Sequence, residues 1–174
     1  MRKQGSLLVV LTAACVALFA ACVPAPVTTT TTVAPVDCTA TPAPYVNLSG
    51  CDLTGADLYL AELNNAELNN ANLTNADLGS ANLSFANLTN ANLTGANLSF
   101  ANLTGANLTG ANLTGADLAA AQLTGANLTN ANLTNANLSR AQMYGANLTG
   151  ADLIGVIWSF TQCPNGNVSS IFCA

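Results

Sequence analysis

The chain has 174 residues, 51% of them hydrophobic but only 6% charged and 5% aromatic, and it contains no histidine. Eight acids outnumber three bases. That balance excludes nucleic-acid binding through clustered Lys and Arg, and so few charges and aromatics signal a repeat rather than an ordinary globular domain.

Residues 1–21 read as an export signal. Arg2 and Lys3 form a positive start, Leu7 to Phe19 an apolar stretch, and Ala20-Ala21 a small-residue cleavage site. An uncleaved membrane anchor is the alternative, because the apolar run approaches spanning length. Phe19-Ala20-Ala21-Cys22 resembles a bacterial lipobox, with Leu18 one place early, and the resemblance implies lipidation of Cys22. Ordinary signal-peptidase cleavage is the other reading. Cleavage leaves Arg140 alone against eight acids, a side-chain balance of −7.

Residues 22–45 are rich in Pro and Thr, including Thr28 to Thr32, and are expected to form a tether and N-terminal cap. Excluding Cys15 and Cys22 leaves Cys38, Cys51, Cys163 and Cys173, two near each end of the repetitive region 46–160. Of the three possible pairings, Cys38–Cys51 with Cys163–Cys173 is preferred, and such bonds require an oxidising compartment.

Residues 46–160 fall into 23 uninterrupted blocks of five, of the form Ala-Asn-Leu-Thr-Gly. The central residue is Leu in 21 blocks, and the first is Ala in 20. A period of five scatters the leucines around a helix. In extended backbone, Ala and Leu point to one side, with Asn or Asp between them pointing out. The fifth residue is Gly in ten blocks and Asn in six, as a type II turn with φ > 0 requires.

The seven exceptions are Leu60, Ser80, Phe85, Phe100, Ala120, Arg140 and Phe160, and all but Phe85 lie on a 20-residue beat. Four blocks therefore make one coil, and about six coils make a four-sided solenoid ~28 Å long. The corner at residues 59–60, 79–80 and 99–100 is expected to use a different turn, without φ > 0. A charge at Leu98 or Leu103 is expected to break the coil, and Asn97→Asp to be nearly neutral. Residues 37–51 are expected to cover the first coil and Val156 to Ala174 the last, with residues 161–174 forming the C-terminal cap beyond the repeat. Trp158, Phe160, Ile171 and Phe172 would supply its apolar lid, and Pro164-Asn165-Gly166 a turn.

Blocks such as Ala106-Asn107-Leu108-Thr109-Gly110 and Ala116-Asp117-Leu118 resemble the pentapeptide-repeat family. The tail from Gly155 to Gly166 is similar to tails in exported bacterial members. The resemblance implies an all-β fold, a right-handed quadrilateral parallel β-helix. Members that mimic DNA and shield gyrase suggest an alternative function, and Asp57, Asp77 and Asp117 share one face in partial agreement. Asn97 and Asn137 interrupt that row, and gyrase is cytoplasmic.

No catalytic constellation, phosphate loop or metal-ligand set is present in the sequence, so no enzyme activity and no cofactor are expected. The expected function is a structural or protein-interaction module outside the cytoplasmic membrane, with an unknown protein partner, no nucleic acid, and membrane attachment only through the N-terminal lipid or signal anchor. Tyr59, Leu60, Phe100, Arg140 and Phe160 on the odd corner form a candidate interaction face. The row Thr54, Thr74, Thr94, Thr114 and Thr134 is a lesser candidate, for ice or a regular surface, beside the plain reading that Thr suits a β-exterior.

Overall fold

The computed structural model describes residues 36–169 and 171–173. The expected leader, the lipidation at Cys22 and residues 22–35 of the tether lie outside these described residues.

Each block is one side of a coil, and an inner Ala-Asn-Leu-Thr-Gly block satisfies all five of its backbone N–H groups. In residues 91–95, Asn92 N donates to Ala71 O in the preceding coil at 2.9 Å. Leu93 N and Gly95 N donate forward to Asn112 O and Thr114 O at 2.7 and 3.0 Å. Ala91 N closes the turn behind it on Leu88 O at 3.0 Å. Only the Thr94 N–H lacks a backbone partner, and the Asn92 side chain accepts it at 3.2 Å. The second residue is Asn or Asp in 18 of the 23 blocks, where its short side-chain oxygen can reach the N–H two residues on; Glu62, Glu67, Gln122, Gln142 and Ile157 are the exceptions.

Parallel bridges join residues 20 apart, from Asn47↔Glu67 through Gln142↔Gln162. Successive bridges fall on four sides in rotation, so the coil closes after four pentads. Each side is too short for a regular strand. The two strands among the described residues are β1 (Thr161–Gln162) and β2 (Val168–Ser169), paired antiparallel after the last full coil.

The odd corner does not use a different turn. Leu60, Phe100, Arg140 and Phe160 have φ of 59°, 60°, 62° and 55°, and Ser80, Phe85 and Ala120 are positive as well. The reason is the inter-coil ladder. Leu60 N donates to Gly79 O at 3.0 Å, and Phe100 N to Ala119 O at 2.9 Å. Another turn would misdirect these donors, and an orphaned backbone group costs as much as or more than the ~1–2 kcal/mol of left-handed backbone at a non-glycine residue. None of the seven residues is β-branched, the class that tolerates φ > 0 least.

Ala and Leu form a solid core. From Leu63 to Met143 the inward side chains are essentially inaccessible. The ends are more open, with Leu53, Ala56, Leu148, Ala151, Leu153 and Val156 only partly buried. At the start, Tyr45 adopts φ 61° and donates from its N to Asn64 O at 3.0 Å. The coil register thus begins one corner before residue 46. Cys38 is bonded to Cys51, with Cα atoms 5.5 Å apart.

At the far end Cys163 is bonded to Cys173. Gly166 N closes a turn on Cys163 O at 2.9 Å. The expected apolar lid forms only in part. Trp158 is buried and meets Phe172 edge-to-face at 6.1 Å. Phe160 is 66% and Ile171 88% exposed. Phe160 occupies a corner position, whose side chain points away from the axis, and the Ile171 side chain stands in solvent while its N–H donates to Ser169 Oγ at 3.2 Å.

Candidate functional surfaces

Ala and Leu fill the interior of the described coils, so the outward second residue and the two corner residues of each pentad form the surface. The threonines of one corner are already engaged. Thr74 Oγ1 donates to Asn72 Oδ1 at 2.6 Å and accepts from Asn92 Nδ2 at 2.9 Å. Thr54 and Thr94 repeat this arrangement with Asn72 and Asn112. The hydroxyl proton of Thr114 goes to Asn112 and that of Thr134 to Asn132. The hydroxyl protons thus serve the coil's own ladder, and each oxygen keeps acceptor capacity toward the outside.

Asp57, Asp77 and Asp117 do share a side, with Asn97 and Asn137 in the same row. Asn97 Nδ2 donates to Asp77 Oδ1 at 2.8 Å, and Asn137 Nδ2 to Asp117 Oδ1 at 2.9 Å. The interrupting amides are therefore donors to the acids. Asp52 Oδ1 accepts Thr54 Oγ1 at 2.6 Å, Thr54 N at 3.2 Å and Asn72 Nδ2 at 3.1 Å. Hydrogen bonds from Thr54, first its hydroxyl and then its N–H, hold the Asp52 carboxyl below the usual carboxylate range. Thr39 does the same for Asp37.

The odd corner exposes Tyr59, Leu60, Phe100, Arg140 and Phe160. Leu60 and Phe100 stand two coils apart, with Ser80 between them, so the large apolar groups are spaced along the edge rather than contiguous. Two further arrangements lie at other corners. The Phe85 ring covers Gly105 in the next coil, and Asn75, Asn90, Asn130 and Asn135 cover Gly95, Gly110, Gly150 and Gly155. A signal for these existed in the sequence, as Asn or Phe followed 20 residues later by Gly.

A family model described as pentapeptide repeats matches eight copies over residues 45–79, 81–119 and 121–157. Solved structures of pentapeptide-repeat proteins resemble the chain. Rfr23 from the cyanobacterium Cyanothece 51142 is 36% identical over 63% of this chain and 85% of its own, with a TM-score of 0.41. HetL, described as involved in heterocyst differentiation regulation in Nostoc sp. strain PCC 7120, is 35% identical over 74% and 75%, with a TM-score of 0.36. A thylakoid-lumen protein of Arabidopsis thaliana is 33% identical over 66% of each chain, with a TM-score of 0.36. A comparison with curated proteins finds no match. The matched repeats cover well over half of the sequence, and the chain belongs to the pentapeptide-repeat family.

Proposed function

We propose that this protein is a non-enzymatic interaction module, held outside the bacterial cytoplasmic membrane by a lipid on Cys22 or released after signal cleavage. One observation carries the interaction reading. With the core closed and most Asn and Thr side chains bonded to one another, the corner bearing Tyr59, Leu60, Phe100 and Phe160 exposes both large apolar groups and Arg140, the one base among the described residues, whereas the corner of Tyr45, Phe85 and Tyr144 carries aromatics alone. Aromatic and Arg side chains are the usual anchors of protein interfaces. The apolar leader and Pro/Thr-rich segment support the location, the first as an export signal and the second as a spacer.

Two experiments test this reading. Fractionation with mass spectrometry of the mature N-terminus should find a lipidated Cys22, or a new terminus near it, in the envelope or medium. Intact Met1 in the cytoplasm would contradict it. Cross-linking from the corner in cells should capture a protein whose yield falls at least about tenfold when Leu60 and Phe100 are changed to Ser. An unchanged yield would remove the corner from the account.

The second reading is a DNA-mimicking topoisomerase inhibitor, favoured by Asp57, Asp77 and Asp117 on one side. It requires an unused leader. Inhibition of gyrase supercoiling by purified protein, lost on changing the three acids to Asn, would support it over the first.

A further inference from the structure

The two disulfides sit in different surroundings. Cys163 and Cys173 are both buried. Cys51 is also buried, at a block's first position, where alanine stands in 20 of the 23 blocks, but its partner Cys38 is exposed. We propose that Cys38–Cys51 is an exchangeable thiol-acceptor site, at which an external thiol, preferentially a cationic one, adds to Cys38, while Cys163–Cys173 is a permanent staple.

Exchange requires a thiolate to reach a sulfur, and exposure sets which sulfur it reaches. At the N-terminal bridge only Cys38 is open to attack. The incoming thiolate forms a new S–S bond to Cys38 Sγ, the Cys38–Cys51 bond breaks, and the Cys51 sulfur leaves with the electron pair and takes up a proton. No separate oxidant or reductant is needed. The Cys51 thiol remains in a slot shaped for a small apolar side chain, where burial keeps it neutral and slow to re-attack.

Release of Cys38 disturbs little else. Beyond the bridge, residues 36–45 are tied by Ala40 N to Asp37 O, Thr39 to the Asp37 side chain, Val46 N to Ala43 O and Tyr45 N to Asn64 O, and Ala40 packs half-buried against the core. Of these hydrogen bonds only that of Tyr45 reaches the next coil. Opening is therefore local and does not require the coils to separate. The C-terminal bridge lacks such an exit, because Cys163 N is bonded to Asn167 O and Thr161 Oγ1 to Leu138 O beneath it.

The charge preference comes from the neighbours. Asp37 precedes Cys38, Asp52 follows Cys51, and the sequence has no Lys or Arg between Lys3 and Arg140. The local potential repels anionic thiols and draws cationic ones, most strongly at low ionic strength.

The test treats the oxidised full chain with cysteamine or with glutathione, without denaturant, and maps adducts by peptide mass spectrometry after acid quenching. The expected result is an adduct on Cys38 with free Cys51, at least about tenfold faster than any change at Cys163 or Cys173. Cysteamine should react several-fold faster than glutathione in low salt, with the gap closing in high salt. Adducts on Cys51, or equal reaction at the two bridges, would overturn the site, and equal rates for the two thiols would overturn the cationic preference. Cys51→Ala, which restores the repeat's own residue, provides a second arm. Its circular dichroism should be unchanged and its Cys38 thiol should take up cysteamine from cystamine. A folded variant with an inert Cys38 would contradict the proposal.

Discussion

The ring of Phe85 lies over Gly105, one coil away, so that a Cβ built on Gly105 would come within 2.6 Å of Phe85 Cε1. Gly105 also has φ +66°, so alanine there meets both backbone strain and a ring. Gly115 separates the two effects, with φ +65° and nothing within 4 Å of its added Cβ. Gly115→Ala should destabilise by about 1 kcal/mol from backbone strain alone, and Gly105→Ala by about 1–2 kcal/mol more. Phe85→Ala should recover that excess in a double-mutant cycle measured by urea unfolding. Equal losses at the two glycines would show that the ring moves aside freely.

Asn97 connects Asp77 to Ser99, since it donates from Nδ2 to Asp77 and accepts both the N–H and Oγ of Ser99. The sequence alone suggests that Asn97→Asp is nearly neutral. The structure reverses this expectation, because aspartate keeps the Ser99 bonds but turns the Asp77 contact into two facing carboxylates. A loss of about 1 kcal/mol at neutral pH is expected, shrinking in high salt or when Asp77 is also changed to Asn. A melting temperature unaffected by the substitution would contradict the network.

Asp37 and Asp52 give stability a direction in pH. Their folded-state carboxyls titrate below the ordinary range. Each therefore contributes stability that is present above the unfolded value, about 4, and lost as pH falls through the lower folded value. Thermal melts from neutral pH to below pH 3 should show a decline that is shallower in Asp52→Asn. Asparagine can accept the same Thr hydroxyl and N–H, as Asn72 does for Thr74. An identical decline in that variant would remove Asp52 from the pH dependence.

Leu98 has no measurable exposure, and its neighbours along the axis are leucines of adjacent coils. Leu98→Asp should cost upward of about 4 kcal/mol, enough to unfold the central coils. Loss of the cooperative melt and gain of protease sensitivity near residue 98 would record it, whereas a native-like melt would mean that the side chain can turn outward.

The parts of the fold behind these outcomes are unequally legible in the sequence. The five-residue spacing of Leu98, Leu103 and Leu108 reveals the core, and the 20-residue beat of Leu60, Phe100, Arg140 and Phe160 reveals the coil. Residue preference alone gives the wrong turn at that corner, because it omits the ladder that constrains the backbone. Leu60 and Phe100 accept φ > 0 because their N–H groups must meet Gly79 O and Ala119 O. The ends are less legible, since Tyr45, Ile171 and Phe172 lie outside any repeating context. The spacing of Tyr59 to Phe160 is enough to place the candidate surface on one corner. The inward-turned hydroxyl protons of the threonine row emerge only from side-chain direction.

Closure after 20 residues underlies every face assignment. Gln122 and Gln142 test it directly, being exposed and paired across one side. With Cys15 and Cys22 replaced by Ser, pyrene can be attached to cysteines introduced at these two positions while the disulfides stay oxidised. Strong excimer fluorescence is predicted for the 122/142 pair, and weak excimer for 122/137 and 122/147, which lie on other sides. Excimer strongest at a separation of 15 or 25 would contradict a coil of four pentads.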